Sequence, residues 1–208
     1  MELTRLKANH QTRPIVDQPP YFSWVILNDQ ENVMQQSYHL RVRCGEETVW
    51  DSGTVESCQS TGVSYRGKPL RSFQGYEWTV EVLISTGERA QASAFFETAF
   101  VGSEWEAQWV ASPRKMRKVK AAKGRYNPAE LFRRTFSISK DVARARVYAT
   151  CHGVYQISLN GQLADDRMLA PEFTLYSKYL CYQTYDVKAL LVGGENAIGM
   201  LVGDGWYN

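Results

Sequence analysis

The chain has 208 residues, 44 % of them hydrophobic and 22 % charged, with a formal net charge of +2. These are the proportions of a folded globular protein, with room for one large domain or two of about 100 residues each. No apolar run approaches the roughly 18 residues of a membrane-spanning helix, and so small a charge does not imply a polyanionic partner.

The first ten residues, MELTRLKANH, lack the apolar core of a secretory signal, so the expected compartment is the cytoplasm. Helical periodicity is almost absent, while period-two alternation recurs. A strand is predicted over residues 21–27. Residues 37–43 alternate with Tyr38, Leu40 and Val42 inward and His39, Arg41 and Arg43 outward. Short strands are expected at 49–51 and 94–98. Residues 74–85 form the clearest strand of all, with Tyr76, Trp78, Val80, Val82 and Ile84 on one face. This spacing fits an immunoglobulin or fibronectin type III sandwich, with Trp24 and Tyr76 where such folds keep a core Trp and a corner Tyr.

Around residues 100–104 the alternation breaks, which predicts two domains, 1–101 and 102–208. In the second, strands are expected at 105–111, 131–138, 142–151, 154–159, 180–187 and 196–202. Over 142–151 the alternation puts Ala143, Ala145, Val147 and Ala149 inward. Asn160-Gly161 is the strongest short hairpin signal available. Between the first two of these strands, residues 114–125 (RKMRKVKAAKGR) carry seven positive charges and no acidic residue. Nucleic-acid binders interleave aromatics with such charges. This run does not, so it reads as a solvated mobile loop. The fold class is thus all-β, two consecutive β-sandwiches, the second jelly-roll-like. About six strands are visible in the second.

Catalytic chemistry is hard to place on this pattern. Glycoside hydrolysis needs two facing carboxylates, and the acidic residues lie scattered over strand faces and turns, as with Glu46, Glu47, Asp165 and Asp166. Nucleophile-elbow, zinc-protease and phosphate-loop motifs are all missing. The four cysteines (Cys44, Cys58, Cys151, Cys181) show no metal-ligand spacing and read as reduced small hydrophobes. His152 follows Cys151, but neighbours on a strand point to opposite faces and cannot share an ion. No metal, no cofactor and no catalytic residue are expected. Asp204, Trp206 and Tyr207 stand in a Gly-flanked turn at a strand end. They could contact a sugar or a neighbouring domain, with Trp206 as stacking platform and Asp204 as hydroxyl acceptor. Equally, Trp206 could pack into the sandwich while Gly203 and Gly205 permit the turn. Asn160 shares the ambiguity, since a type I′ turn alone explains it.

A series of words runs in order along the chain: VWDSGTV (49–55), VSYRGKPL (63–70), YEWTVEV (76–82), FRRTFSI (132–138), ARARVYATCHGVYQISLNG (143–161), LAP (169–171), YQTYDV (182–187) and GENAIGMLVGDGWY (194–207). Together they resemble the N-terminal region of the bacterial α-L-rhamnosidase family of glycoside hydrolases. The resemblance implies a fibronectin type III-like module followed by a β-sandwich N-domain related to a calcium-dependent, rhamnose-binding module. It places catalysis in an (α/α)6 barrel elsewhere, with inverting hydrolysis of terminal α-L-rhamnosides. It also continues the N-domain past GDGWY, so that the second sandwich is expected to be truncated at its C-terminal end and to self-associate through an unpaired sheet edge. That barrel and a rhamnose-containing carbohydrate are then the implied partners, with no role for nucleic acid or membrane. Where the family often reads Thr-Asp-Tyr after LAP, this chain has Thr174-Leu175-Tyr176. Loss of that carboxylate weakens the expectation of a calcium site. A carbohydrate-binding module in its own right, or a protein-interaction scaffold, are the alternative readings.

Overall fold

In a computed structural model, residues 1–102, 105–113, 119–121, 124–126 and 128–207 are described, the short segments 119–121 and 124–126 by their backbone. The chain divides into two compact units, Met1–Gln108 and Trp109–Asn208.

The first unit holds β1 (Glu2–Ala8), β2 (Ile15–Val16), β3 (Tyr21–Leu27), β4 (Gln35–Cys44), β5 (Glu47–Glu56), β6 (Val63–Ser64), β7 (Gly75–Ile84) and β8 (Arg89–Thr98). They form two sheets, β1-β3-β6 and β2-β8-β7-β4-β5. The alternation along β7 is obeyed residue by residue: Tyr76, Trp78, Val80, Val82 and Ile84 are buried and the residues between them are not. On β4, Leu40 stands opposite Val80 and Tyr38 opposite Val82, so both strands offer one apolar face to the core. Phe22 from the other sheet lies 4.6 Å from Trp78. Trp24 is buried, and its indole N–H donates to Gln35 Oε1 (2.9 Å). The Gln35 amide in turn donates to the Ser57 and Gln59 carbonyls. The Tyr76 hydroxyl accepts from the Arg71 amide (2.8 Å), the corner that ties the start of such a strand to the loop before it. Strands β5 and β8 are longer than their sequence signal. The inward residues at the start of β8 are Ala90, Ala92 and Ala94, which pack on the core but carry little strand propensity.

The second unit holds β9 (Val119–Ala121), β10 (Gly124–Tyr126), β11 (Glu130–Ile138), β12 (Arg146–Ala149), β13 (Val154–Leu159), β14 (Gln162–Leu163), β15 (Gln183–Asp186), a 3-10 turn at Lys188–Leu190, and β16 (Gly194–Gly203). Its main sheet runs β11-β16-β13-β14, and β12-β15 forms a smaller one. Tyr155, Ile157 and Leu159 of β13 pack with Ala149, Cys151, Tyr185 and Val187 between the two. The structure therefore consists of two all-β sandwiches.

Three expectations need correction. Residues 105–111 are not a strand: they have no regular secondary structure, and Trp109 and Val110 lie largely in solvent. The strand expected over 142–151 shrinks to β12, and Ala143 is exposed. Its partner strand ends at Asp186 and Val187 enters the 3-10 turn, so the ladder stops at Arg146, with the Val187 amide still donating to the Ala145 carbonyl (3.3 Å). Finally, Val119–Ala121 and Gly124–Tyr126 pair as an antiparallel ladder within the run taken for an irregular loop. The rest of that basic run, 114–118 and 122–123, lies outside the described residues.

Candidate functional site

The β13–β16 ladder has two ends, and the residues singled out in the sequence divide between them. At one end Leu159 stands opposite Ile198, and Asn160 and Gly161 (φ 52° and 83°) make the tight turn into β14. The Asn160 amide is committed to the fold. Its Nδ2 donates to the Leu190 carbonyl and to Asn196 Oδ1, both at 2.8 Å, and its Oδ1 accepts from the Ala197 amide. Asn160 therefore braces a loop.

At the other end Val154 stands opposite Gly203, five residues and roughly 16 Å along the strand. Here Asp204, Trp206 and Tyr207 fold over the start of β13 in a turn closed by the Tyr207 amide donating to the Asp204 carbonyl (3.0 Å). Glycine is required on both sides of that approach. A Cβ on Gly153 (φ 109°) would sit 2.1 Å from the Gly203 carbonyl oxygen, and one on Gly205 would sit 2.8 Å from Val154.

The turn places Tyr207 parallel to the imidazole of His152, with centroids 4.4 Å apart and planes 8° apart. Trp109 stacks on the same imidazole at 4.6 Å. Tyr176 meets Tyr207 edge-on at 5.1 Å, and its hydroxyl donates to the Gly153 carbonyl (3.5 Å). Trp206 is half exposed and meets Phe173 edge to face at 5.9 Å. It is not part of the sandwich core. Sequence reasoning missed Trp109, His152 and Phe173. The first was assigned to a strand, and no local spacing relates 109, 152, 173 and 207.

Beneath this end the core is apolar. Burial pushes the Cys151 thiol up to about 12. Burial, and then the bond from the Tyr185 hydroxyl (3.1 Å), push the Tyr155 phenol up as well. Cys151 is buried and His152 exposed, in the connection between β12 and β13 and not on a strand as expected. Among the described residues no three His, Cys, Asp or Glu side chains stand close enough to hold a metal ion. No helix among the described residues is long and apolar enough to cross a membrane. The first unit carries two shallow hollows, lined by one carboxylate each, Asp17 and Glu97. Neither offers the facing pair that glycoside hydrolysis uses.

Fold and site define a class: an immunoglobulin-like sandwich followed by a smaller sandwich whose open end is aromatic. Residues 3–102 match the family described as Rha78A-like, N-terminal immunoglobulin domain, and residues 140–208 match the α-L-rhamnosidase N-terminal domain. The chain belongs to the α-L-rhamnosidase family, as its N-terminal region. Two α-L-rhamnosidases of Formosa agariphila are 32 % and 31 % identical to it over 92 % and 100 % of the chain, which spans only 22 % and 24 % of their length. The solved structure of α-L-rhamnosidase from Dictyoglumus thermophilum superposes with a TM-score of 0.89 at 32 % identity, over 100 % of this chain and 25 % of that one. The enzyme from Aspergillus terreus gives 0.82 at 26 % identity, over 99 % and 24 %.

Proposed function

We propose that this chain is a non-catalytic accessory segment of a longer glycoside hydrolase that removes terminal α-L-rhamnosyl groups, and that it positions a catalytic (α/α)6 barrel. The observation that carries this reading is the end-to-end match to an α-L-rhamnosidase, at 31 % identity, of which the chain spans 24 %. The scattered carboxylates and the shallow, singly acidic hollows support placing the chemistry elsewhere in the polypeptide.

Purified as 208 residues, the chain should leave an aryl α-L-rhamnoside untouched, while the longer polypeptide turns it over. Turnover by the chain alone, abolished by changing one of its own acidic residues, would overturn the reading. The half-exposed Trp206 beside Asp204 favours a second reading, a carbohydrate-binding module. Calorimetric titration with L-rhamnose, with and without Ca²⁺, tests it: heat that disappears in Trp206→Ala would establish it.

A further inference from the structure

Several exposed apolar side chains of the second unit lie at its aromatic end. Phe173 and Leu175 are 65 % and 54 % exposed, Trp206 and Tyr207 48 % and 53 %, and Trp109 63 %. Ring contacts join Phe173 to Trp206 and, in a second set, Tyr176 through Tyr207 and His152 to Trp109, the two sets meeting at the neighbouring residues 206 and 207. Single exposed hydrophobics mean nothing, but a connected group of this size marks a surface that something covers.

The presentation is also enforced. Ala170, Pro171 and Thr174 are buried beneath the loop, and the Tyr155 amide holds the Ala170 carbonyl at 2.7 Å. Leu169 and Glu172 take φ values of 58° and 85°, a conformation costing an L residue on the order of 1 kcal/mol each. A loop with no contact to make could relax that backbone and turn Phe173 and Leu175 away from water. Here anchors and strain together hold them outward.

The chemistry selects the kind of occupant. A sugar site converges polar groups on a flat ring. In this surface the Tyr176 hydroxyl donates to the Gly153 carbonyl and the Asp204 carbonyl accepts from the Tyr207 amide, while Leu175, next to Tyr176 in the chain, adds an exposed aliphatic side chain. Exposed aromatic rings with aliphatic neighbours are the composition of a protein–protein interface core. Relatives matched over the whole of this chain are about four times its length, so further polypeptide accompanies this fold in them. We infer that the aromatic end of the second unit is the seat for the remainder of the longer polypeptide, which presents an apolar protein surface to it. The inference rests on the accessory-segment reading above.

The test compares two proteins carrying Phe173→Ser with Leu175→Ser. In the longer polypeptide the pair should lower the unfolding midpoint by several degrees. In the 208-residue chain, where both side chains are already in water, it should leave the midpoint unchanged. Equal loss in both would mean ordinary internal packing, and no loss in the longer polypeptide would mean an unoccupied surface. Sedimentation showing a dimer of the 208-residue chain that the pair dissociates would assign the surface to a second copy. A midpoint of that chain raised by L-rhamnose and dependent on Trp206 would assign it to a saccharide. Each of these four outcomes overturns the inference. Activity on an aryl α-L-rhamnoside is scored separately: a longer polypeptide without it removes the hydrolase reading, while the midpoints still decide the surface.

Discussion

At the scale of single residues, the most constrained position is Gly153. It combines a left-handed backbone with a carbonyl oxygen where a side chain would begin. Gly153→Ala should lower the denaturant midpoint of the second unit by more than the roughly 1 kcal/mol of the conformational penalty alone, because the turn at Asp204 must also move. Gly193→Ala, at a site with open space and no positive φ, should change it little and serves as the control. In the first unit Asp51 accepts from the Gly53 amide and stands 2.5 Å from His39 Nε2 and 3.1 Å from Arg41 Nε. The Gly53 bond first, and then His39, hold its carboxyl below the usual carboxylate range. A lowered value stabilises the fold above the unfolded carboxylate pKa, near 3.9, and that contribution is lost as pH falls through the folded value. Asp51→Asn should therefore melt below the unchanged chain at neutral pH, and the gap should close as pH falls from about 4. A gap constant from pH 7 to 3 would contradict this.

At the scale of elements, the hairpin β13–β14 is held by more than its turn. Asn196 is buried, accepts from the Asn160 amide and from the Val192 amide, and donates to the Val192 and Gly194 carbonyls. Removing it leaves those groups without partners in a buried place. Asn196→Ala should cost on the order of 1–3 kcal/mol, well above the fraction of a kcal/mol usual for a surface substitution. Amide exchange at Ala197 and Val192 should quicken with it. Unchanged protection there would show that water replaces the side chain without loss.

At the scale of the whole molecule, the two units differ in their means of stability. Among the described residues the first buries a core of 18 side chains that includes Trp24, Trp78, Tyr76 and Phe96, and the second a core of eight without Trp or Phe. Apolar burial is worth about 25 cal/mol per Å², so calorimetry should resolve two transitions with the second unit melting first. The cysteines give each event a label: exposed Cys58 should react with a thiol reagent in the native chain, and buried Cys151 only as the second unit opens. Since burial raises the Cys151 thiol to about 12, its contribution is present below the unfolded thiol value, near 8.5, and is lost as pH rises towards 12. The lower transition should fall across that window. One cooperative transition would refute the division.

Much of this was legible in the sequence, for a local reason. Side chains alternate across a strand with period two, so the inward set of β7 and the outward His39, Arg41 and Arg43 of β4 follow from spacing alone. Asn160-Gly161 names its own turn, since few other pairs accept positive φ at both positions. The corner at Tyr76 is also a matter of neighbouring residues, five apart. Long-range pairing decided the rest. Residues 142–145 alternate as well as any strand but lie outside the ladder, which ends at Arg146 because Val187 turns into the 3-10 turn. The site is the clearest case. Asp204, Trp206 and Tyr207 were visible as a word, but His152, Trp109 and Phe173 reach them only because β13 lies beside β16 and Gly153 lets the final turn close over it. Spacing along a chain carries the period of a strand, and the meeting of residues 109, 152, 173 and 207 carries no period at all.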